Sequence, residues 1–155
     1  MKKPASLNVV IEVSSRRRDD CLQALGQAQR ELQQAELQLL QLQNYAQESQ
    51  TRWRARASQG VAPALLYHHQ TFMGKIDHAV HFQRGVIQRL QLNLQHCQQQ
   101  VLMAERELAS MNKFAERRHD AWQKQLERQE QKIYDEMAAT VHRMHMAQHP
   151  TRQPV

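Results

Sequence analysis

The sequence predicts an all-α protein, a long antiparallel two-helix coiled coil (an α-hairpin) whose second helix is longer than its first. Three observations carry that reading. An apolar seam with heptad spacing runs from Leu66 to Ala115, a second seam of the same period runs from Leu7 to Trp53, and a single strong break lies between them. Residues that recur every three and four positions place one apolar stripe along a helix, and two such helices share it. Composition agrees. Four Gly and four Pro in 155 residues leave few breaks, and aromatics at 5% are too few for a conventional globular core, although hydrophobic residues reach 41%. A mean hydropathy of −0.78 describes a solvated helical surface.

Helix one is expected over about residues 6–57, roughly 75 Å at the usual rise. Ile11, Leu25, Leu32, Leu39, Ala46 and Trp53 recur every seven, with Arg18 as the exception. Leu7, Cys21, Ala28, Ala35 and Leu42 fill the matching d positions, with Ser14 and Ser49 as weaker members. The β-branched run Leu7–Val13 could read as a strand. A lone strand has nothing to pair with here, so helix is the expectation.

The break is Ser58-Gln59-Gly60-Val61-Ala62-Pro63. Gly60 suits a helix end and Pro63 suits the start of the next helix. So short a connection makes the helices antiparallel neighbours. Folding about residue 61 sets Leu42 opposite Val80, Ala46 opposite Ile76 and Leu32 opposite Leu90. Each a position then meets a d position.

Helix two is expected over about residues 64–147, roughly 120 Å by the same rise. Its seam is Leu66, His69, Met73, Ile76, Val80, Gln83, Ile87, Leu90, Leu94, Cys97, Val101, Ala104, Leu108, Met111 and Ala115. His69 and Gln83 are its polar exceptions. Leu7 already faces Ala115, so everything from Glu116 onward overhangs. Arg118 and Gln125 then break the register, and a new stripe runs through Trp122, Leu126, Ile133, Met137, Val141 and Met144. The step from Trp122 to Leu126 resembles a four-residue insertion in a heptad pattern. An amphipathic helix without a partner implies that another protein covers its apolar side. Pairing of two overhangs, or a frayed tail, is the alternative. Residues 148–155 are expected to be a disordered tail of this single hairpin, which spans 1–155.

Several function classes fall away. The chain has no phosphate-binding glycine loop, no nucleophile elbow and no zinc-protease helix motif. No catalytic, cofactor-binding or metal-binding residues are expected, and no cofactor. His142, His145 and His149 share helical spacing, as do His78 and His81, but ligands on one exposed helix are not a closed site. Cys21 and Cys97 read as seam residues rather than a disulfide. The net charge of +6 raises nucleic-acid binding, yet Arg16-Arg17-Arg18 and the group Arg52, Arg54, Arg56 lie at opposite ends of helix one. Downstream arginines alternate with Glu. No specific nucleic-acid binding is expected, and an acidic protein partner accounts for the same charge. There is no apolar run of about 18 residues and no export signal, so a cytoplasmic protein without direct membrane insertion is expected.

One cluster goes beyond the needs of a coiled coil. Gln38, Tyr45, Phe72 and Ala79 fall at g positions beside the seam, next to Leu42 and Ile76. The pairing about residue 61 places Tyr45 beside Asp77 and Phe72 beside Gln50. Gly74 and Gly85 occupy outward positions, where glycine weakens a helix and leaves a low spot for a partner.

The segments Arg18-Asp19-Asp20-Cys21-Leu22-Gln23-Ala24-Leu25-Gly26, Leu42-Gln43-Asn44-Tyr45 and Gly60-Val61-Ala62 occur in order. Tyr67-His68-His69-Gln70-Thr71-Phe72-Met73 follows with Ile76, Ala79 and Val80, and then Lys132-Ile133-Tyr134-Asp135-Glu136-Met137-Ala138. In this order and spacing the chain resembles the flagellar FliJ family, the coiled-coil stalk proteins of the type III export apparatus. The resemblance implies a non-enzymatic protein at the flagellar base, cytoplasmic and peripheral to the inner membrane. Its partners would be the hexameric flagellar export ATPase, the cytoplasmic domain of the export gate, and export chaperones. By position, Gln38, Leu42, Tyr45, Phe72, Ile76 and Ala79 match the gate-binding patch. Ser49 stands where the family pattern has a second aromatic, and Leu7–Val13 is less charged than the family N-terminus. The overhang residues Trp122, Leu126, Lys132, Ile133, Asp135, Glu136 and Met137 are the expected ATPase surface. A generic coiled-coil adaptor or escort chaperone without ATPase contact is the alternative, as is an injectisome stalk homologue.

Overall fold

A computed structural model describes residues 6–149 of the chain. α1 spans Asn8–Ala57 and α2 spans Pro63–Gln148, and the described residues contain no strand. The fold is all-α with the second helix the longer. The β-branched start of α1 is helical, and its first turn is capped locally. Leu7 O accepts from Ile11 N–H at 2.9 Å, and the Ser6 hydroxyl accepts from Asn8 N–H at 3.3 Å. The second satisfies a donor that a helix start otherwise leaves open, and the first begins the backbone ladder of α1. Of the expected disordered tail, Gln148 closes α2 instead, and residues 150–155 lie outside the described residues.

The tip follows from three backbone decisions. α1 tightens as it ends, with Gln59 N–H bonded to Arg56 O at 3.2 Å and Gly60 N–H to Ala57 O at 3.1 Å. Gly60 then takes φ of 88°, a left-handed conformation in which a Cβ is strained. Pro63 proves to be the first residue of α2 rather than the last of the tip, since a first helical residue needs no N–H donor. Ala62 O accepts the opening bonds of α2 from Leu65 and Leu66 at 3.1 and 3.2 Å.

The glycines therefore separate by sign. Gly60→Ala is expected to cost about 1–2 kcal/mol. At Gly74 and Gly85 an added Cβ meets nothing within 4 Å, so alanine at either is expected to stabilise by about 0.5–1 kcal/mol. Urea melts of the three variants check this. A destabilising Gly74→Ala or Gly85→Ala would mean that the free helix is already crowded there.

The chain divides into two compact units, Ser14–Glu107 and Met1–Val13 with Leu108–Val155. The first is a helical hairpin with a single-file interior. Ala28 is 1% exposed and Ile76 6%, with Ala35, Ile87, Val101 and Ala104 also buried. No large side chain among the described residues is completely enclosed. Leu66 departs from the expected seam and is exposed. Folding about residue 61 sets it against Arg56, at the end of the stripe. Cys21 and Cys97 are half-buried free thiols.

Three polar members of the seam, His69, Gln83 and Arg18, are partnered. The His69 ring stacks on Trp53 at 4.1 Å and 5°, and the two residues are equidistant from residue 61. Gln83 Nε2 donates across the hairpin to Ala35 O at 3.0 Å and to Gln38 Oε1 at 3.2 Å. A satisfied polar group in an apolar seam disfavours slipped registers, which would orphan it. Arg18 turns aside to Asp19 at 2.8 Å. Arg17 reaches Glu107 at 3.6 Å in solvent, where such a pair contributes little.

In the other unit Leu108, Met111, Ala115, Arg118, Trp122 and Leu126 are half-buried, and every described residue from Glu127 onward is exposed.

Candidate partner-binding surfaces

The first surface is the flank of the hairpin. Helical spacing lines up Gln38, Leu42 and Tyr45 on one face of α1, and Phe72, Ile76 and Ala79 on one face of α2. The structure brings the two rows together. Tyr45 and Phe72 meet edge to face with ring centroids 6.0 Å apart, a favoured geometry for aromatic pairs. Both rings stay open to solvent, Tyr45 at 49% and Phe72 at 40%. Gln38, Leu42 and Tyr45 border a shallow open depression with Gln41 and Gln83.

Tyr45 and Phe72 reach each other although pairing about residue 61 sets them at the levels of Asp77 and Gln50. Ile76 is buried, so it supports the flank from beneath while the rings form the outer surface. Sequence reasoning missed Gln83, whose amide holds Gln38 in place. The available signal was a polar residue at a seam position.

The second surface is the C-terminal part of α2. Ile133, Tyr134, Met137, Val141, Met144 and Met146 are exposed, as are Lys132, Asp135 and Glu136. Trp122 and Leu126 are half-buried, so the stripe divides into a covered start and an open remainder. The ring of Trp122 lies 6.1 Å from that of His119, and its indole N–H is shielded without an acceptor. Arg118 sits 5.8 Å above the Phe114 ring, a cation–π distance. Local bonds steady the open part. The Thr140 hydroxyl donates to Glu136 O at 2.8 Å, and Gln131 Nε2 reaches Asp135 at 3.4 Å. His145 and His149 pack ring to ring at 5.2 Å. No helix among the described residues is long and apolar enough to cross a membrane.

The hairpin leaves an aromatic pair in solvent, and the C-terminal part of α2 leaves a long apolar stripe there, as candidate surfaces for protein contacts. The chain belongs to the FliJ family: the family model described as "Flagellar FliJ protein" matches residues 2–146. Membership makes it a flagellar export-related component, in a family that is structural and has no known enzymatic activity. No curated protein and no solved structure matches the chain.

Proposed function

We propose that this chain is a non-enzymatic coupling element of the flagellar type III export apparatus. It links the hexameric export ATPase to the export gate and assists delivery of chaperones and their substrates. It acts in the cytoplasm, peripheral to the inner membrane at the flagellar base. The observation that carries this reading is the Tyr45–Phe72 pair, two aromatics left substantially in solvent beside a seam that does not need them. Aromatic rings held rigid by one another are low-entropy anchors for a partner. Gln38, Leu42 and Ala79 complete the gate surface, with Ile76 as its floor. The bare helix at Gly74 and Gly85, where nothing lies within 4 Å of a Cβ position, leaves room for close approach. Trp122, Leu126, Ile133 and Met137, bordered by Lys132, Asp135 and Glu136, form the ATPase surface.

The double variant Tyr45→Ala, Phe72→Ala tests the gate contact. Helicity is expected to persist, and affinity for the gate domain to fall by about 2 kcal/mol or more, roughly thirtyfold. Calorimetry of binding with circular dichroism of the free chain reads both. A double variant that unfolds at ordinary temperature would make the rings core residues, and one that binds unchanged would remove them from the interface.

A further inference from the structure

The hairpin tip has a composition of its own. Between Glu48 and Asp77 the chain carries no acidic residue, while Arg52, Arg54, Arg56 and Lys75 all fall there. Arg52 pairs loosely with Glu48 at 3.3 Å, both in solvent. Among the described residues no carboxylate pairs with Arg54 or Arg56, and both are exposed. From the last of these arginines through the tip and back along α2 to their level, residues 57–67 carry no charge. That uncharged stretch presents Leu65 at 41% exposure and Tyr67 at 68%, with Leu66 also exposed. Leu65 and Tyr67 are off the seam, so neither is needed to close the hairpin.

We infer that the tip docks on an anionic lipid surface, with the arginine collar on lipid phosphates and Leu65, Leu66 and Tyr67 at headgroup level. An acidic protein surface would match the arginines alone. Leu65, Leu66 and Tyr67 lie on the other arm at the level of residues 55–57, so apolar and cationic side chains stand side by side, which fits a boundary that is charged outside and apolar beneath, with a depth of about 5–10 Å for interfacial side chains. Leucine enters such a boundary with its apolar surface, and tyrosine sits there with its hydroxyl in water. Guanidinium forks match phosphate oxygens in pairs. No helix need enter the hydrocarbon. This surface is separate from the Tyr45–Phe72 flank and from the end of α2, so it adds to the proposed coupling role.

Flotation of the full chain with vesicles tests it. Phosphatidylcholine vesicles are compared with phosphatidylcholine vesicles containing phosphatidylglycerol. The chain is expected to float with the anionic vesicles only, and less as salt is raised. Arg54→Gln with Arg56→Gln should weaken binding about twenty-five-fold, at about fivefold per arginine near an anionic surface. Leu65→Ser with Tyr67→Ser should weaken it about tenfold through lost apolar burial. Circular dichroism should show both variants as helical as the unaltered chain. Absence of flotation at low salt overturns the inference, as does flotation that survives either variant. Vesicles ignored while the arginine variant loses affinity for the gate domain would overturn it too, and would assign the collar to an acidic protein surface.

Discussion

Truncation after Ala115 is expected to abolish stimulation of the export ATPase while leaving the Ser14–Glu107 hairpin helical. The buried residues of that hairpin all precede the cut. What is removed includes an open stripe, from Ile133 to Met146, and every described residue from Glu127 onward is exposed. Such a helix depends on its own backbone and on local bonds like that of the Thr140 hydroxyl to Glu136 O, and so it frays readily when free. Burial against the ATPase would remove its apolar side from water at roughly 25 cal/mol per Å². Hydrogen exchange over residues 127–144 should be fast in the free chain and slowed when the ATPase is added. ATPase stimulation that survives truncation would move the contact to the N-terminal arm or the tip.

Ile76→Ala is expected to cost about 2–5 kcal/mol of stability, the usual penalty for emptying a buried aliphatic site. The hairpin has few residues to share that loss, because Ile76 is among a handful of buried side chains and no large one is completely enclosed. Leu37→Ala and Leu92→Ala remove as much carbon from exposed positions, and each should stay within about 0.5 kcal/mol of the parent. Denaturant melts of the three variants separate these outcomes. The contrast also governs how gate binding is read. Weak binding by Ile76→Ala reports a loosened hairpin, whereas weak binding by the Tyr45, Phe72 variant reports a lost contact. An Ile76→Ala chain that melts like the parent yet fails to bind the gate would make Ile76 a direct contact.

The seam was legible because a heptad period dictates burial whatever the side chain. Every expected a and d position of α1 from Ile11 to Trp53 is buried or half-buried, including Ser14, Arg18 and Ser49. The chain reversal was legible because Gly60 and Pro63 have few other uses in so helical a sequence. The period says nothing about what a polar seam residue does. His69 and Gln83 entered as exceptions, and only side-chain reach shows that one stacks on Trp53 and the other bonds to Ala35 and Gln38. Reach also explains the flank. Pairing by level compares Cα heights along the helices, and rings as long as those of Tyr45 and Phe72 span the offset between levels. Trp122 marks a further limit, since its shielded and unpartnered N–H is set by local packing that periodicity does not encode.

Within Ser14–Glu107 the single-file interior makes cohesion a one-dimensional quantity. Each layer touches only the layers before and after it, so stability accumulates along the hairpin as a chain of nearest-neighbour terms. Opening then starts at an end and advances layer by layer, in the manner of a zipper. The satisfied Gln83 is a stop along that track, because slipping past it orphans a polar group. The Trp53–His69 stack is a second stop nearer the tip. Between these two latches lie Phe72 and Ile76, with Tyr45 across the hairpin. The Tyr45–Phe72 flank is thereby held at fixed spacing even while the tip beyond it breathes.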